Sequence, residues 1–335
     1  MDTADPHRVA LDHVLAVVAN SDWGAGMVLR GSMTLLAWLG PEARPPGDLD
    51  WIVLEPQFCD PLDPYPFLDS IETVQQWPEA EDGAARSEIW TDEDFDTFGL
   101  RPKLPPEGLR WIRADEFERP SLQEDLTAAI SCDRFASDDV TLNPRGIRTD
   151  EQWPYFDSYG STGTRLIVPW DSEDYGSGQL HLDFAVDHTL PAPPVWTAIP
   201  RADGRPPTPV PTASRELSLA WKLLWLHTDA TESGHANGKD LYDAVLLAES
   251  PHTALTARLL RAVLGTRTRD LTPTAVRDWE VDWTDFRTSH PDVRGELGDW
   301  LDRLIRALEP NLALAVRKTT RGADACPVEA EDSSA

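Results

Sequence analysis

The spacing of hydrophobic residues predicts alternating helices and strands in the first part of the chain. Apolar residues recur at helical spacing over 7–20, and the short apolar run 27–29 predicts a buried strand. Residues 32–39 read as a helix that opens with a capping serine, Ser32. Residues 48–54 begin with polar–apolar alternation and then become wholly apolar, which is typical of an interior strand.

The pattern weakens in the middle of the chain and then becomes strongly helical. Between about 56 and 163 it predicts only a helix at 66–76 and a strand near 109–113. Two strands follow at 165–168 and 179–186, separated by a loop that ends in Gly-Ser-Gly. The later part of the chain is predicted to be helical at 214–228, 239–249, 253–264, 273–280 and 293–308.

A proline-rich run separates these two parts. Residues 191–211 contain eight prolines, and because proline lacks the amide hydrogen that helices and interior strands need, we expect a linker there. The sequence therefore predicts an α+β protein, with a small mixed sheet and its helices followed by a helical domain. The expected parts are a first domain over 1–190 with an acidic insertion near 57–163, the linker 191–211, a helical domain over 212–318, and a disordered tail over 319–335.

Charge is strongly unbalanced, with 30 Lys+Arg against 58 Asp+Glu and a net charge of −28. A surface this acidic excludes generic coating of nucleic acid, whose phosphates are neutralised by Lys and Arg. The imbalance is uneven, however: residues 1–250 hold 18 basic and 44 acidic side chains, whereas residues 251–321 hold 12 and 10. The helical region is therefore the part best able to present a basic face.

Cysteine usage and hydropathy indicate a cytoplasmic protein with no membrane association. The three cysteines lie far apart and have no metal-ligand spacing, so they indicate neither a disulfide framework nor a zinc site. The first residues are acidic, unlike a signal peptide, and no apolar run approaches the roughly 18 residues that a membrane span requires.

One cluster of residues has a spacing suited to phosphate chemistry. Gly31 and Ser32 stand at the start of a helix, where backbone N–H groups and a hydroxyl can bind triphosphate oxygens. Asp48 and Asp50 are two positions apart on a strand and therefore project from the same face. A third carboxylate, for which Asp183 in the strand GQLHLDFAV is the candidate, would complete a site for divalent metal ions.

The run VLRGSMTLLAWLG, then Arg44, then DLDWIVL resembles the opening motifs of the nucleotidyltransferase superfamily, specifically of the AbiEii/MenT-like toxin family. A second pair of motifs, LAWKLL and GKDLYD, is similar to the later motifs of that family. The resemblance covers about residues 9–55 and 214–249, with a weaker match at 179–186. It implies an enzyme that transfers a nucleoside monophosphate from an NTP to an acceptor, with tRNA as the acceptor and an antitoxin as a partner protein.

The resemblance also implies roles for individual residues. Asp48 and Asp50 would be catalytic and would bind Mg²⁺, with Mn²⁺ as an alternative ion, and Ser32 would contact the triphosphate. Lys222 would neutralise phosphate charge in the transition state, a point-charge role that suits lysine, and Asp240 would orient it.

Two further groups of residues are expected near the nucleotide. Arg44 would lie beside the metal-binding carboxylates, and Gly31 would contribute to the nucleotide-binding loop. The aromatic side chains of Trp221, Trp225 and Tyr242 can stack on a base, although aromatics at helical spacing more often belong to the core.

Three departures from the family pattern leave other interpretations open. Pro46 stands where the family has Ser or Thr, Lys239 stands where arginine is common, and the gap between Asp50 and Asp183 is long. One alternative is a small-molecule nucleotidyltransferase of the aminoglycoside-modifying type, since the acidic region suits a cationic acceptor. The other is a degenerate domain that binds a partner without catalysis.

Overall fold

The computed structural model describes residues 5–54, 58–59, 112–113, 121–152, 163–187 and 190–321. The chain divides into two compact units. We call residues 1–8, 28–51 and 189–335 the first unit, and residues 9–27 and 52–188 the second unit. Because the first unit joins an early segment to the end of the chain, residues far apart in sequence meet within it.

The described residues form ten strands and nine α-helices, which confirms the α+β class. The strands are β1 (Met27–Arg30), β2 (Asp48–Leu54), β3 (Phe58–Cys59), β4 (Ile112–Arg113), β5 (Val140–Leu142), β6 (Arg148–Thr149), β7 (Gly163–Ser172), β8 (Gly176–Asp187), β9 (Val195–Ile199) and β10 (Thr208–Thr212). The helices are α1 (Pro6–Ala19), α2 (Ser32–Leu39), α3 (Leu122–Cys132), α4 (Arg215–Thr228), α5 (Gly238–Glu249), α6 (Ala257–Leu264), α7 (Pro273–Arg277), α8 (Trp283–Ser289) and α9 (Leu297–Arg321).

Strands β2, β1, β10 and β9 lie side by side in that order. β1 is parallel to β10, whereas β10 and β9 are antiparallel, so the sheet is mixed. β2 alternates half-buried Asp48 and Asp50 with buried Leu49 and Trp51, and this alternation directs both carboxylates to one face.

The helical part of the first unit has its own hydrophobic core. α4 packs against α5 and α6, and α5 packs against α9. α4 contributes one apolar face to this core, formed by Leu219, Ala220, Leu223 and Leu226. These residues recur at intervals of three and four, which is the spacing that places side chains on one side of a helix.

The second unit is built around a long antiparallel hairpin. β7 pairs with β8 along its whole length, and β5 and β6 pair with β7. The connecting turn is shorter than predicted, because the Gly-Ser-Gly sequence lies within β8 rather than in the loop. Gly178 is a glycine there because the indole ring of Trp170 occupies the space that a Cβ would fill.

The prediction of a linker at 191–211 is wrong, because the run contains the paired strands β9 and β10. β10 accommodates Pro209 and Pro211 because they are two positions apart, so that their backbone nitrogens lie on the same edge of the strand. The amide of Ala213, two positions after Pro211, donates to the carbonyl of Leu29 in β1 at 2.9 Å. The backbone nitrogens of the two prolines therefore also point toward β1. The missing amides therefore weaken only the β1 side, and the pairing with β9 is kept.

The other predictions agree with the structure in part. The helix at 32–39 and the strand at 48–54 have the predicted bounds. The final helix continues to Arg321, beyond the predicted end of the helical domain. The predicted helix at 66–76 and most of the predicted acidic insertion and tail lie outside the described residues. None of the helices in the described ranges is both long and apolar enough to cross a bilayer.

Candidate functional site

The turn between β1 and α2 places Gly31 directly against the Asp50 side chain. Gly31 has a φ of 78°, in the left-handed region that L side chains rarely adopt. A Cβ built at this position would lie 2.0 Å from Asp50 Oδ2, far inside van der Waals contact. Glycine is therefore required at position 31 for two reasons, the backbone conformation and the space that Asp50 occupies.

Ser32 contacts the other carboxylate of the strand. Its hydroxyl donates to Asp48 Oδ1 at 3.4 Å, a long hydrogen bond, and the residue is buried. The prediction that Ser32 caps α2 is wrong, because Gly31 occupies the cap position and no side chain caps the helix there. The serine side chain is instead directed to the strand that carries the acidic pair.

The oxygen donors of Asp48 and Asp50 suit a hard divalent cation. Mg²⁺ is commonly held by one or two carboxylates together with water and substrate phosphates. Both aspartates are half-buried, and the missing Cβ of Gly31 leaves room for one of the two carboxylates. Within the described part of the chain no group of three or more His, Cys, Asp or Glu side chains is arranged for a metal ion. The chemistry of these two side chains therefore fits a divalent cation, with at most two protein carboxylates as ligands in the described residues.

Lys222 and Asp240 form a buried ion pair between α4 and α5. The Lys222 ammonium donates to Asp240 Oδ1 at 2.5 Å, and both side chains are less than a tenth exposed. Burial by itself lowers the pKa of Lys222, but Asp240 and Asp243 outweigh it and the pKa of the lysine is raised. Burial likewise tends to raise the pKa of Asp240, but Lys222, Lys239 and Arg44 together outweigh it, so the pKa of the aspartate is lowered. Both groups are therefore held in their charged forms.

Asp243, the second aspartate of the GKDLYD motif, is a member of this cluster for which the sequence predicted no role. Arg44 Nε and Nη2 donate to its two carboxylate oxygens at 3.1–3.2 Å, and Lys222 Nζ lies 3.1 Å from Asp243 Oδ2. The carboxyl side chain is only 1% exposed. Its position one turn after Asp240 on an amphipathic helix was the available signal, but that signal equally fits a residue at a helix start.

We call Arg44, Lys222, Asp240 and Asp243 the four-residue ion cluster. With two cations and two carboxylates its formal charge is zero. Buried charges are tolerated when each is paired with an opposite charge and hydrogen-bonded to it, as here. Burial lowers the pKa of Arg44, but Asp243, Asp240 and Asp48 outweigh it and raise the pKa. The guanidinium is thus electrostatically coupled to Asp48, one of the two carboxylates proposed for the metal.

A group of aromatic side chains adjoins Lys222. The Lys222 ammonium lies 5.3 Å from the ring centroid of Trp225, and the Arg30 guanidinium carbon lies 5.7 and 5.9 Å from the rings of Trp221 and Trp225. These distances are typical of cation–π contacts. Tyr242 packs elsewhere, with its ring against Phe286 and Trp300.

Asp183 belongs to a different local arrangement in the second unit. It is buried in β8, where Arg165 of the neighbouring strand β7 donates to both of its carboxylate oxygens at 2.6 and 2.7 Å. This bidentate geometry is the strong form of an arginine–carboxylate pair. A role for Asp183 as the third metal ligand stays a prediction.

Comparison with known proteins gives a family and several solved structures. Residues 13–318 match the family described as nucleotidyl transferase AbiEii toxin, type IV toxin–antitoxin system. The chain is also similar to the nucleotidyltransferase toxin MenT4 from Mycobacterium tuberculosis, with 14% identity and a TM-score of 0.49 over 92% of this chain and 82% of that one. A search of curated protein sequences finds no significant match.

Proposed function

The chain belongs to the AbiEii nucleotidyl transferase toxin family and is a nucleotidyltransferase, and from that premise we propose that it transfers a nucleoside monophosphate from an NTP to tRNA in a Mg²⁺-dependent reaction. The observation that carries the proposal is the double contact at the start of α2, where Gly31 adjoins Asp50 and Ser32 adjoins Asp48. That contact brings the proposed phosphate-binding helix start next to the two carboxylates proposed to bind the metal ion.

The triphosphate is proposed to bind at the N-terminus of α2. Backbone N–H groups and the positive end of the helix dipole favour anions there, and the Ser32 hydroxyl adds a donor. Asp48 and Asp50 would hold Mg²⁺, which supplies positive charge and orientation to the phosphates when bound. Without a cation, the two carboxylates would repel the triphosphate. A divalent cation bound to both carboxylates would remove that repulsion, which supports the assignment of Asp48 and Asp50 to Mg²⁺.

Lys222 is proposed to act on the phosphate charge that develops as pyrophosphate leaves. A lysine held in its charged form is a point charge that can stabilise phosphate oxygens without reorganisation. Asp240 fixes the position of the ammonium, and Asp243 connects it to Arg44 near Asp48. In transfer reactions of this type, positioning and electrostatic stabilisation supply most of the catalysis.

Transfer RNA is the proposed acceptor, and residues 251–321 are its proposed contact region. This region has 12 basic and 10 acidic residues in a chain of net charge −28. Its exposed arginines include Arg258, Arg261, Arg267 and Arg269, which lie close together in sequence. Because polyanion binding depends on Lys and Arg, this surface is the most favourable one for RNA. The family description, which names a toxin–antitoxin system, supports an antitoxin as a proposed partner. The cytoplasm, where NTP and tRNA occur together, is the proposed location.

A labelling experiment tests the proposal. Purified protein is incubated with Mg²⁺ and each of the four α-labelled NTPs, with and without total tRNA, and the RNA is separated on a denaturing gel. The proposal predicts label on RNA, from at least one NTP, that requires Mg²⁺. No label on RNA, together with consumption of NTP in the presence of an aminoglycoside, would replace the tRNA acceptor with a cationic small molecule. Absence of both, with no NTP binding by calorimetry, would contradict the proposed reaction.

A further inference from the structure

We propose that Arg30, Trp221 and Trp225 form the binding site for the base of the NTP, and we call these residues the stacking cluster. The inference rests on the proposed function, since it assigns the base of the same nucleotide whose triphosphate binds at Gly31 and Ser32. Its first basis is that the planar Arg30 guanidinium lies near the rings of both tryptophans. Arg30 is also the residue before Gly31 of the proposed phosphate-binding turn.

The two tryptophans lie on a face of α4 that is not part of the helical core. They are one turn apart and half-buried, whereas Leu219, Leu223 and Leu226 of the same helix are buried in the core of the first unit. Tryptophan is among the largest apolar side chains, and a core role would favour its complete removal from water. Here each tryptophan keeps part of its surface accessible.

The stacking cluster adjoins the residues proposed for the triphosphate. Arg30 is the last residue of β1 and immediately precedes Gly31. Trp225 contacts the Lys222 ammonium with its ring, and Lys222 is one turn before it on α4. A nucleotide joins its base to its phosphates through a single ribose, so a base whose triphosphate lies between Gly31 and Lys222 must bind close to both. The stacking cluster meets that requirement.

The chemistry of the stacking cluster fits a flat aromatic ligand that carries negative charge nearby. Bases stack on aromatic side chains and on guanidinium planes, and such stacking tolerates different bases. Arg30 and Lys222 add positive charge that complements the phosphates. We therefore expect the stacking cluster to increase affinity for all four NTPs rather than to select one of them.

Calorimetric titration of nucleotide and of inorganic tripolyphosphate separates base binding from phosphate binding. Trp225→Leu and Trp221→Leu are compared with Trp196→Leu, in which the same substitution is made at a tryptophan that is 76% exposed on β9. Loss of one stacking partner is expected to weaken NTP binding about 10-fold or more. Binding of tripolyphosphate should stay within about twofold of the wild type, and Trp225→Phe should retain most of the NTP affinity.

Two results would overturn the assignment while leaving the proposed reaction intact. One is unchanged NTP affinity in both leucine variants, and the other is an equal loss for NTP and tripolyphosphate, which would make Trp225 a support for Lys222 only. Thermal unfolding of each variant checks that it is folded, and either leucine variant suffices for the comparison. Failure of the wild-type protein to bind any NTP would instead contradict the proposed function itself.

Discussion

At the scale of single residues, the turn at Gly31 joins backbone geometry to the acidic strand. Its positive φ is a requirement of the turn, and the Asp50 carboxylate occupies the place of its missing side chain. Gly40 is also at positive φ, 58°, but a Cβ there would meet no atom within 4 Å. The two glycines thus share the conformational requirement and differ in the neighbouring carboxylate.

That difference allows a matched test of the Asp50 position. Gly40→Ala is expected to lower the free energy of unfolding by about 1–2 kcal/mol, because it forces an L residue to adopt a positive φ. Gly31→Ala is expected to cost more, because its Cβ must also displace the Asp50 carboxylate. Only Gly31→Ala should lower nucleotidyl transfer, by about 100-fold, since displacement of a catalytic group by about 1 Å has that effect. Equal activity of the two variants would contradict a catalytic role for the Asp50 position.

The Lys222–Asp240 pair makes stability depend on pH in a direction that follows from its pKa values. The pKa of Asp240 is lowered in the folded state from its usual 3.8, so its contribution is present above that value and lost as pH falls through the folded pKa. The pKa of Lys222 is raised, so its contribution is present below the usual 10.5 and lost as pH rises through the folded pKa.

Asp240→Asn tests the acid side of this dependence. The variant is expected to show a smaller decrease in the free energy of unfolding between about pH 6 and pH 3 than the wild type, because it lacks the carboxylate that must be protonated. Urea unfolding at each pH measures the difference. Parallel pH profiles for the two proteins would mean that Asp240 contributes no acid-dependent stability.

At the scale of elements, the four-residue ion cluster connects α4, α5 and the segment before β2. Asp243 on α5 binds Arg44 from that segment and Lys222 from α4. The Arg44–Asp243 contact joins residues 199 positions apart in sequence. The Tyr242 hydroxyl adds a second long-range connection by donating to the carbonyl of Glu42 at 2.7 Å. The helices therefore help to fix the segment that leads into the acidic strand.

Removal of the Asp243 charge tests this connection. Asp243→Asn would leave two buried cations facing one carboxylate, and the loss of a buried partner is expected to lower the free energy of unfolding by about 3–5 kcal/mol. Glu232→Gln is the control, because the Arg267–Glu232 pair is largely exposed and should contribute less than about 1 kcal/mol. Chemical denaturation of both variants gives the comparison, and similar values for the two would contradict a structural role for the cluster.

Elements with a clear local pattern were predictable from sequence, and elements that depend on distant pairing were not. α2 and β2 have the predicted bounds because helix and strand periodicity are encoded in their own residues. β10 was missed because its tolerance of Pro209 and Pro211 depends on which neighbour each proline faces. For the same reason the sequence placed Gly31, Ser32, Asp48 and Asp50 in one motif, but it did not predict the contact between Asp243 and Arg44.

At the scale of the whole molecule, charge is distributed so that RNA has one favourable region. The net charge of −28 comes from residues 1–250 and the final residues, while residues 251–321 carry a small excess of arginine and lysine. The exposed Arg258 and Arg261 lie on α6, and Arg267 and Arg269 follow in the next turn. These positions make the RNA proposal testable without alteration of the catalytic residues.

Charge reversal at Arg258, Arg261, Arg267 and Arg269 is expected to abolish transfer to tRNA and to leave NTP binding unchanged. Each lost phosphate contact also reduces the dependence of RNA affinity on salt. The control reverses four exposed arginines outside this region, namely Arg134, Arg145, Arg148 and Arg205, and alters net charge equally. Gel-shift titrations with tRNA at several salt concentrations measure both effects. If the control and the test variant lose tRNA binding equally, net charge rather than this region determines the interaction.

The most direct measurement is the rate of transfer from an α-labelled NTP by Asp50→Asn, compared with Asp171→Asn at an exposed position of β7. The asparagine keeps the shape of the side chain beside Gly31 but removes the charge that would hold the metal ion. If Asp48, Asp50, Ser32 and Lys222 form the catalytic centre, Asp50→Asn should lower the rate by at least about 1,000-fold while Asp171→Asn does not change it. Transfer by folded Asp50→Asn at the wild-type rate would contradict this assignment.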